Sequence, residues 1–260
     1  MTLTYERRGS GPPLVLLHGL GHRWQGWSPV LPLLAAEHEV IAVDLPGFGA
    51  SPPTAGTRWR EDLVPAVAGF LAELDLDRPH VAGNSLGGVI ALELAIAGSV
   101  SSATALAPAG FWLPRERRWA RGLMGVLRAA TFLPASLLRS MAGSARMRNL
   151  SYGALVGRPA NLAPAAILQD AMALRASPAY TAVARNGRGY AVRGVPRCPV
   201  TIAWGTRDRI LPYRQALRAR EQLPGARHVD LPGCGHVPMS DDPELVASVI
   251  LQTTKGTASS

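Results

Sequence analysis

Short apolar runs ending in glycine or proline recur along this 260-residue chain, at 14–17, 40–43, 80–82, 103–106, 200–204 and 227–231, and helix-compatible segments separate them. Their apolarity is continuous rather than alternating, which suits strands buried on both faces. Helices fit at 63–74, 88–97, 213–222 and 243–251. Strand alternating with helix predicts an α/β class: a mostly parallel sheet with helices on both sides.

The rhythm breaks between residues 111 and 195. That stretch offers no convincing strand but several helix-like pieces, at 115–130, 135–142 and 164–176. In the first, Trp119, Leu123, Met124 and Leu127 recur at helical spacing on one face, and the apolar side formed by Trp112, Trp119, Leu123 and Leu127 is expected to face the active-site cleft. The segment reads as a helical insertion between two strands. It also carries the charge: thirteen arginines against Glu116 and Asp170, a net +11, where the whole chain is +9 and the remainder −2. The plain reading is a solvated basic surface. An anionic substrate or an anionic lipid surface are the alternatives, and no motif that reads nucleic acid accompanies the charge. Residues 253–260 are small and polar and read as a disordered tail.

With 47% apolar residues the chain has material for a sizeable core. Two cysteines, Cys198 and Cys234, cannot build a disulfide framework, and their spacing to histidine fits no zinc pattern. The first residues lack the organisation of a secretory signal and no run has bilayer-spanning length, so a cytoplasmic setting is expected. Nothing suggests a metal or organic cofactor.

The chemistry gathers around Gly83-Asn84-Ser85-Leu86-Gly87-Gly88, between a strand-like and a helix-like run. Gly-x-Ser-x-Gly in that context makes a bend too tight for larger side chains, and it lifts the serine hydroxyl off the sheet toward a helix N-terminus. A serine nucleophile needs a base. His18, His22, His38, His80 and His228 each suit a strand end or the surface, whereas His236 sits in a Gly- and Pro-rich loop directly beyond the last strand. The base needs an acceptor on its other ring nitrogen, and Asp208 follows the penultimate strand; Asp230, Asp241 and Asp242 are also close to His236, but the first lies within a strand and the other two resemble a helix start. Loops after parallel strands share one sheet edge, so Ser85, Asp208 and His236 are expected to converge. Backbone N–H groups of Leu86 and Leu20, the latter in His18-Gly19-Leu20-Gly21, are the candidate oxyanion donors. Trp24 and Trp27, just past that loop, are candidate walls of an apolar pocket.

Assembled, these residues resemble the α/β-hydrolase family of esterase, lipase and peptidase relatives. The matching stretches are His18-Gly19-Leu20-Gly21, Asp44 to Ser51, Gly83 to Gly88, Trp204-Gly205-Thr206-Arg207-Asp208 and Gly235-His236, in the family's order Ser, Asp, His. The resemblance implies a hydrolase core at 1–110 and 196–252, with a helical cap at 111–195 inserted before the penultimate strand. It also implies a sheet of about seven strands, because only residues 2–8 are available ahead of the strand leading to His18. Serine at 85, where haloalkane dehalogenases and epoxide hydrolases of this fold carry aspartate, argues against those chemistries. The expected activity is hydrolysis of a carboxylic ester, or another small carbonyl substrate, through an acyl-enzyme. Carbon–carbon hydrolysis of ring-cleavage products, whose enzymes share a similar elbow, acyl transfer, and a ligand receptor without turnover are the alternatives.

Overall fold

In the computed structural model, which describes residues 2–256, the apolar runs form the sheet. Its strands are β1 (Tyr5–Arg8), β2 (Pro13–Leu17), β3 (Glu39–Val43), β4 (His80–Asn84), β5 (Ser102–Leu106), β6 (Val200–Gly205) and β7 (Arg227–Leu231). They lie in the order β1-β3-β2-β4-β5-β6-β7. β1 pairs antiparallel with β3, Tyr5 opposite Val43, and all other neighbours are parallel. Every residue of β4, β5 and β6 is buried, as continuous apolarity predicts. Successive side chains of a strand point to opposite faces. Val15, Leu17, Ile41, Val43 and Val81 accordingly enter one core cluster, and Leu14, Leu16, Val40, Ala42 and Ala82 the other.

From β2 the chain turns to β3 on one side, and from β4 it turns to β5 on the other. Between the carboxyl ends of β2 and β4 the strand order therefore reverses, the place where open α/β sheets leave a crevice.

Among the described residues the chain forms ten α-helices: α1 (Leu31–Ala35), α2 (Val64–Glu73), α3 (Leu86–Ala97), α4 (Pro114–Ala130), α5 (Ala135–Gly143), α6 (Ala145–Tyr152), α7 (Pro164–Ala176), α8 (Tyr180–Asn186), α9 (Arg214–Gln222) and α10 (Pro243–Lys255). α3 is buried from Leu86 through Ala95 and stops at Gly98, whose φ of 78° gives the left-handed C-cap that glycine adopts without a Cβ penalty. Asp242 caps α10 by accepting the Leu245 N–H at 3.0 Å.

The expected tail begins too early. Thr253 to Lys255 form the last turn of α10, because Thr253 is buried and its hydroxyl donates to Val249 O at 2.8 Å while lying 2.8 Å from Thr201 Oγ1. The end of that stretch, 257–260, lies outside the described residues.

α4 to α8 fill the interval between β5 and β6, which contains no strand. Leu123, Met124 and Leu127 of α4 pack inward as the helical spacing predicts. Trp119 departs from that face: it is 55% exposed, and its Nε1 donates to Arg209 O at 2.9 Å across the outer edge. Glu116, on the first turn of α4, has a fully buried carboxylate that receives both Arg214 and Arg218 of α9, together with the Leu113 N–H at 2.9 Å. This cluster pins the helical insertion to the sheet layer. No helix among the described residues is long and apolar enough to cross a membrane.

Candidate active site

Ser85 joins β4 to α3 with φ 54° and ψ −111°, a positive φ that L-residues other than glycine, asparagine and aspartate rarely adopt. The neighbours enforce it. The Ser85 N–H donates to Leu106 O at 2.9 Å, tying the bend to the end of β5. A Cβ at Gly83 would strike the Gly87 carbonyl, and one at Gly87 would strike the carbonyls of Leu17 and His18, so β4, α3 and the loop after β2 meet only because both residues are glycine.

Asp208 and His236 come together at the same sheet edge. Asp208 Oδ2 lies 2.8 Å from His236 Nδ1, and its other oxygen accepts the N–H groups of Ile210 (2.9 Å) and Leu211 (2.8 Å). A carboxylate only accepts, so Nδ1 carries a proton, the tautomer in which a neutral imidazole has its lone pair at Nε2. The His236 loop is fastened from beneath: Asp241 accepts the N–H groups of Gly235 (2.7 Å), Gly157 (2.8 Å) and Arg158 (2.9 Å), and Val237 N–H donates to Leu155 O at 2.9 Å. Asp241 thus serves the loop backbone, whereas Asp208 faces the ring.

His236 and Ser85 line one cavity of about 560 Å³ that lies between the sheet edge and the helical insertion. Among the described residues neither Ser85 Oγ nor His236 Nε2 has a hydrogen-bond partner. Nucleophile–base hydrogen bonds commonly tighten only around substrate. Leu20 and Leu86 also line the cavity, and neither backbone N–H donates to any group among the described residues. Leu86 is the first residue of α3, where helical N–H groups have no intrahelical acceptor.

Trp24 and Trp27 do not line the cavity, contrary to the sequence expectation. They are the ends of a 3₁₀ turn, in which residues three apart eclipse one another, so fully buried Trp27 belongs to the core cluster of Leu14 and Leu34, half-buried Trp24 packs against that cluster, and Gln25 and Gly26 are left facing the cavity. Trp59 and Trp112 wall it instead. Trp112, on the apolar side of the insertion expected to face the cleft, donates to Tyr190 O at 3.1 Å, and Trp59, which no local sequence signal marks, donates to Val183 O at 2.8 Å.

The other histidines divide. His18 donates from Nδ1 to Gly19 O at 2.8 Å and accepts the Leu45 N–H on Nε2 at 2.9 Å, and burial holds it down at about 3, a neutral ring bracing two loops. Burial, aided by His38, holds His80 at about 4. His38 and His228 bond backbone carbonyls. His22 is the exception. It lines the cavity 3.5 Å from Asp170 of α7; burial pulls the imidazole down, but the Asp170 carboxylate outweighs it and the net shift is upward. Asn84 lies within the bend motif, and nothing local in the sequence gives it a role of its own. Its buried side-chain amide donates to Leu106 O at 3.2 Å and His236 O at 2.9 Å, joining the bend to the histidine loop.

A strained serine between strand and helix, beside a histidine–carboxylate pair at the reversal of a parallel sheet, defines the α/β-hydrolase class. The chain belongs to the alpha/beta hydrolase family, whose model matches residues 14–249. It is 29% identical over 264 residues to an uncharacterized protein of Mycobacterium tuberculosis, covering 93% of this chain and 75% of that one. It is 41% identical over 96 residues to the pimeloyl-(acyl-carrier protein) methyl ester esterase of Aeromonas hydrophila, 37% of each chain. A thermophilic esterase from Thermogutta terrifontis shares the fold with a TM-score of 0.74 at 22% identity, covering 98% of this chain and 93% of that chain.

Proposed function

We propose that this hydrolase cleaves carboxylic esters through an acyl-enzyme formed on Ser85. The observation that carries the reading is the His236–Asp208 hydrogen bond of 2.8 Å on a ring that lines the same cavity as Ser85. Ser85 Oγ attacks the ester carbonyl and His236 Nε2 takes its proton, while Asp208 keeps the tautomer and stabilises the imidazolium. The oxyanion forms against the Leu20 and Leu86 N–H groups, each such donor contributing about 3 kcal/mol in related chemistry. His236 then returns the proton to the departing alcohol and activates the water that frees the acid. The helices at 111–195 act as the cap that closes this cavity. The local likeness to an ester-cleaving relative from Aeromonas hydrophila adds support.

Hydrolysis of 4-nitrophenyl octanoate, together with fluorophosphonate labelling mapped by mass spectrometry, tests the reading. Label on Ser85 and loss of turnover in Ser85→Ala are expected; unaltered turnover in a folded Ser85→Ala protein rejects it.

A further inference from the structure

The arginines on the cavity wall have no role in the proposed ester cleavage. Five of them, Arg23, Arg117, Arg121, Arg185 and Arg188, line the cavity against one carboxylate, Asp170. Asp170 lies beside His22, and none of the five arginines is in an ion pair among the described residues. Arg23 follows the loop after β2, and its Nε is buried without an acceptor. A buried, unsatisfied guanidinium N–H is costly unless an acceptor enters from outside the chain.

The cap arginines are placed by helix geometry. Arg117, Ala120, Arg121 and Met124 line the cavity, a stripe at i, i+3, i+4 and i+7 that puts half-buried Arg117 and exposed Arg121 one turn apart on the flank of α4 that borders the cavity. Like charges at that spacing repel. The chain contains the same arrangement elsewhere: Arg214 and Arg218 of α9 are also four apart, and the buried Glu116 carboxylate bridges them. Where no ligand has to enter, the protein supplies its own anion. On the cavity wall it leaves the guanidinium pair open.

We infer that the substrate is an ester with an apolar body and a carboxylate or phosphate group, the anion being held by the Arg117–Arg121 face with Arg23. This rests on the ester-hydrolase reading and names its substrate class. The apolar body lies against Trp59, Trp112 and Met124, and the anion accepts guanidinium N–H bonds, in bidentate form where two oxygens are presented.

Two pairs of esters test it. 4-Nitrophenyl hydrogen suberate and 4-nitrophenyl octanoate differ by a carboxylate at the acyl terminus; the octanoate esters of 4-hydroxyphenyl phosphate and of phenol differ by a phosphate on the alcohol. At low salt one anionic ester is expected to exceed its neutral counterpart about tenfold in kcat/KM, and the preference is expected to shrink severalfold in ~0.5 M NaCl. The pair that responds identifies whether the anion belongs to the acid or the alcohol. R117Q/R121Q collapses the preference, and R139Q, a cap arginine off the cavity wall, does not. Equal or lower kcat/KM for both anionic esters at low salt overturns the inference, as does a preference indifferent to R117Q/R121Q. Should no ester turn over, suberic monoamide and octanamide are titrated against Ser85→Ala by tryptophan fluorescence. Tighter, salt-sensitive binding of the anion then upholds the arginine site although ester cleavage has failed, and equal or absent binding overturns it.

Discussion

The side-chain amide of Asn84 donates to the main-chain carbonyl of His236 at 2.9 Å, across 152 residues of chain, and its second bond reaches Leu106 O, the carbonyl that also receives the Ser85 N–H. One buried amide thereby sets the height of the histidine loop relative to the serine bend. Asn84→Leu keeps the branched heavy-atom skeleton and removes both donated bonds. It is expected to lower stability by about 1–3 kcal/mol, from two carbonyls losing a partner. Activity should fall further than that cost suggests, by about a hundredfold in kcat with little change in KM, because the ring is displaced rather than the pocket. Steady-state kinetics beside urea unfolding separates the two effects, and an unaltered kcat sinks the positioning role.

Asp208 holds the His236 ring through one oxygen and its own loop through the other. Asp208→Asn offers an amide that stabilises the wrong tautomer, and kcat on 4-nitrophenyl octanoate should drop by about 10⁴. The thermal midpoint should move only a few degrees, since the carbonyl oxygen still accepts the Ile210 and Leu211 N–H groups. A drop below tenfold would remove Asp208 from the reaction.

Trp27 is fully buried away from the cavity, and Trp112 lines it. Trp27→Phe should lower stability by about 1–2 kcal/mol and leave the preference among acyl chain lengths as it was. Trp112→Ala should shift that preference toward longer chains by about tenfold, the scale set by pocket methylenes. A panel of 4-nitrophenyl esters from acetate to dodecanoate reads both variants, and the reverse pattern would contradict the cavity wall described above.

Glu116 anchors the helical insertion to α9. Burial pushes its carboxyl up, but the Arg214 guanidinium, the Leu113 N–H and Arg218 together pull it down, and the net value lies below the ordinary 4.5. A depressed carboxylate stabilises the fold at pH above its unfolded value and loses that contribution as pH falls through the folded one. The anchor is therefore intact at neutral pH and weakens below about 4.5. Glu116→Gln should cost about 2 kcal/mol at pH 7, less than a fully enclosed pair because Arg214 is half exposed and rehydrates. The difference between variant and wild type should narrow at pH 4 or below. A constant difference by urea unfolding across that range would show that the carboxylate charge is not what holds α4.

Periodicity and turn chemistry carry information about one element and its neighbours, and those parts were legible in the sequence. Continuous apolar runs in β4, β5 and β6 are buried on both faces as read, and the glycines around Ser85 mark a bend whose strand and helix are both there. Even the pairing of Asp208 with His236 follows from sequence, because parallel strands deliver the loops that follow them to one edge. Helical spacing placed Leu123, Met124 and Leu127 correctly and misplaced Trp119, whose indole found an acceptor on Arg209 outside the core.

What the tertiary structure alone decided are contacts between segments far apart in the chain. Trp24 and Trp27 stand beside the oxyanion loop in sequence but do not line the cavity, while Trp59 arrives from a distant segment to wall it. Asn84 and His22 acquire partners in the histidine loop and in α7. The arginines of the insertion divide into those answered by neighbours and those left open on the cavity wall. A sequence fixes which faces of an element are apolar or charged; which cavity a charged face borders depends on how the elements pack, and that is settled only once the core is closed.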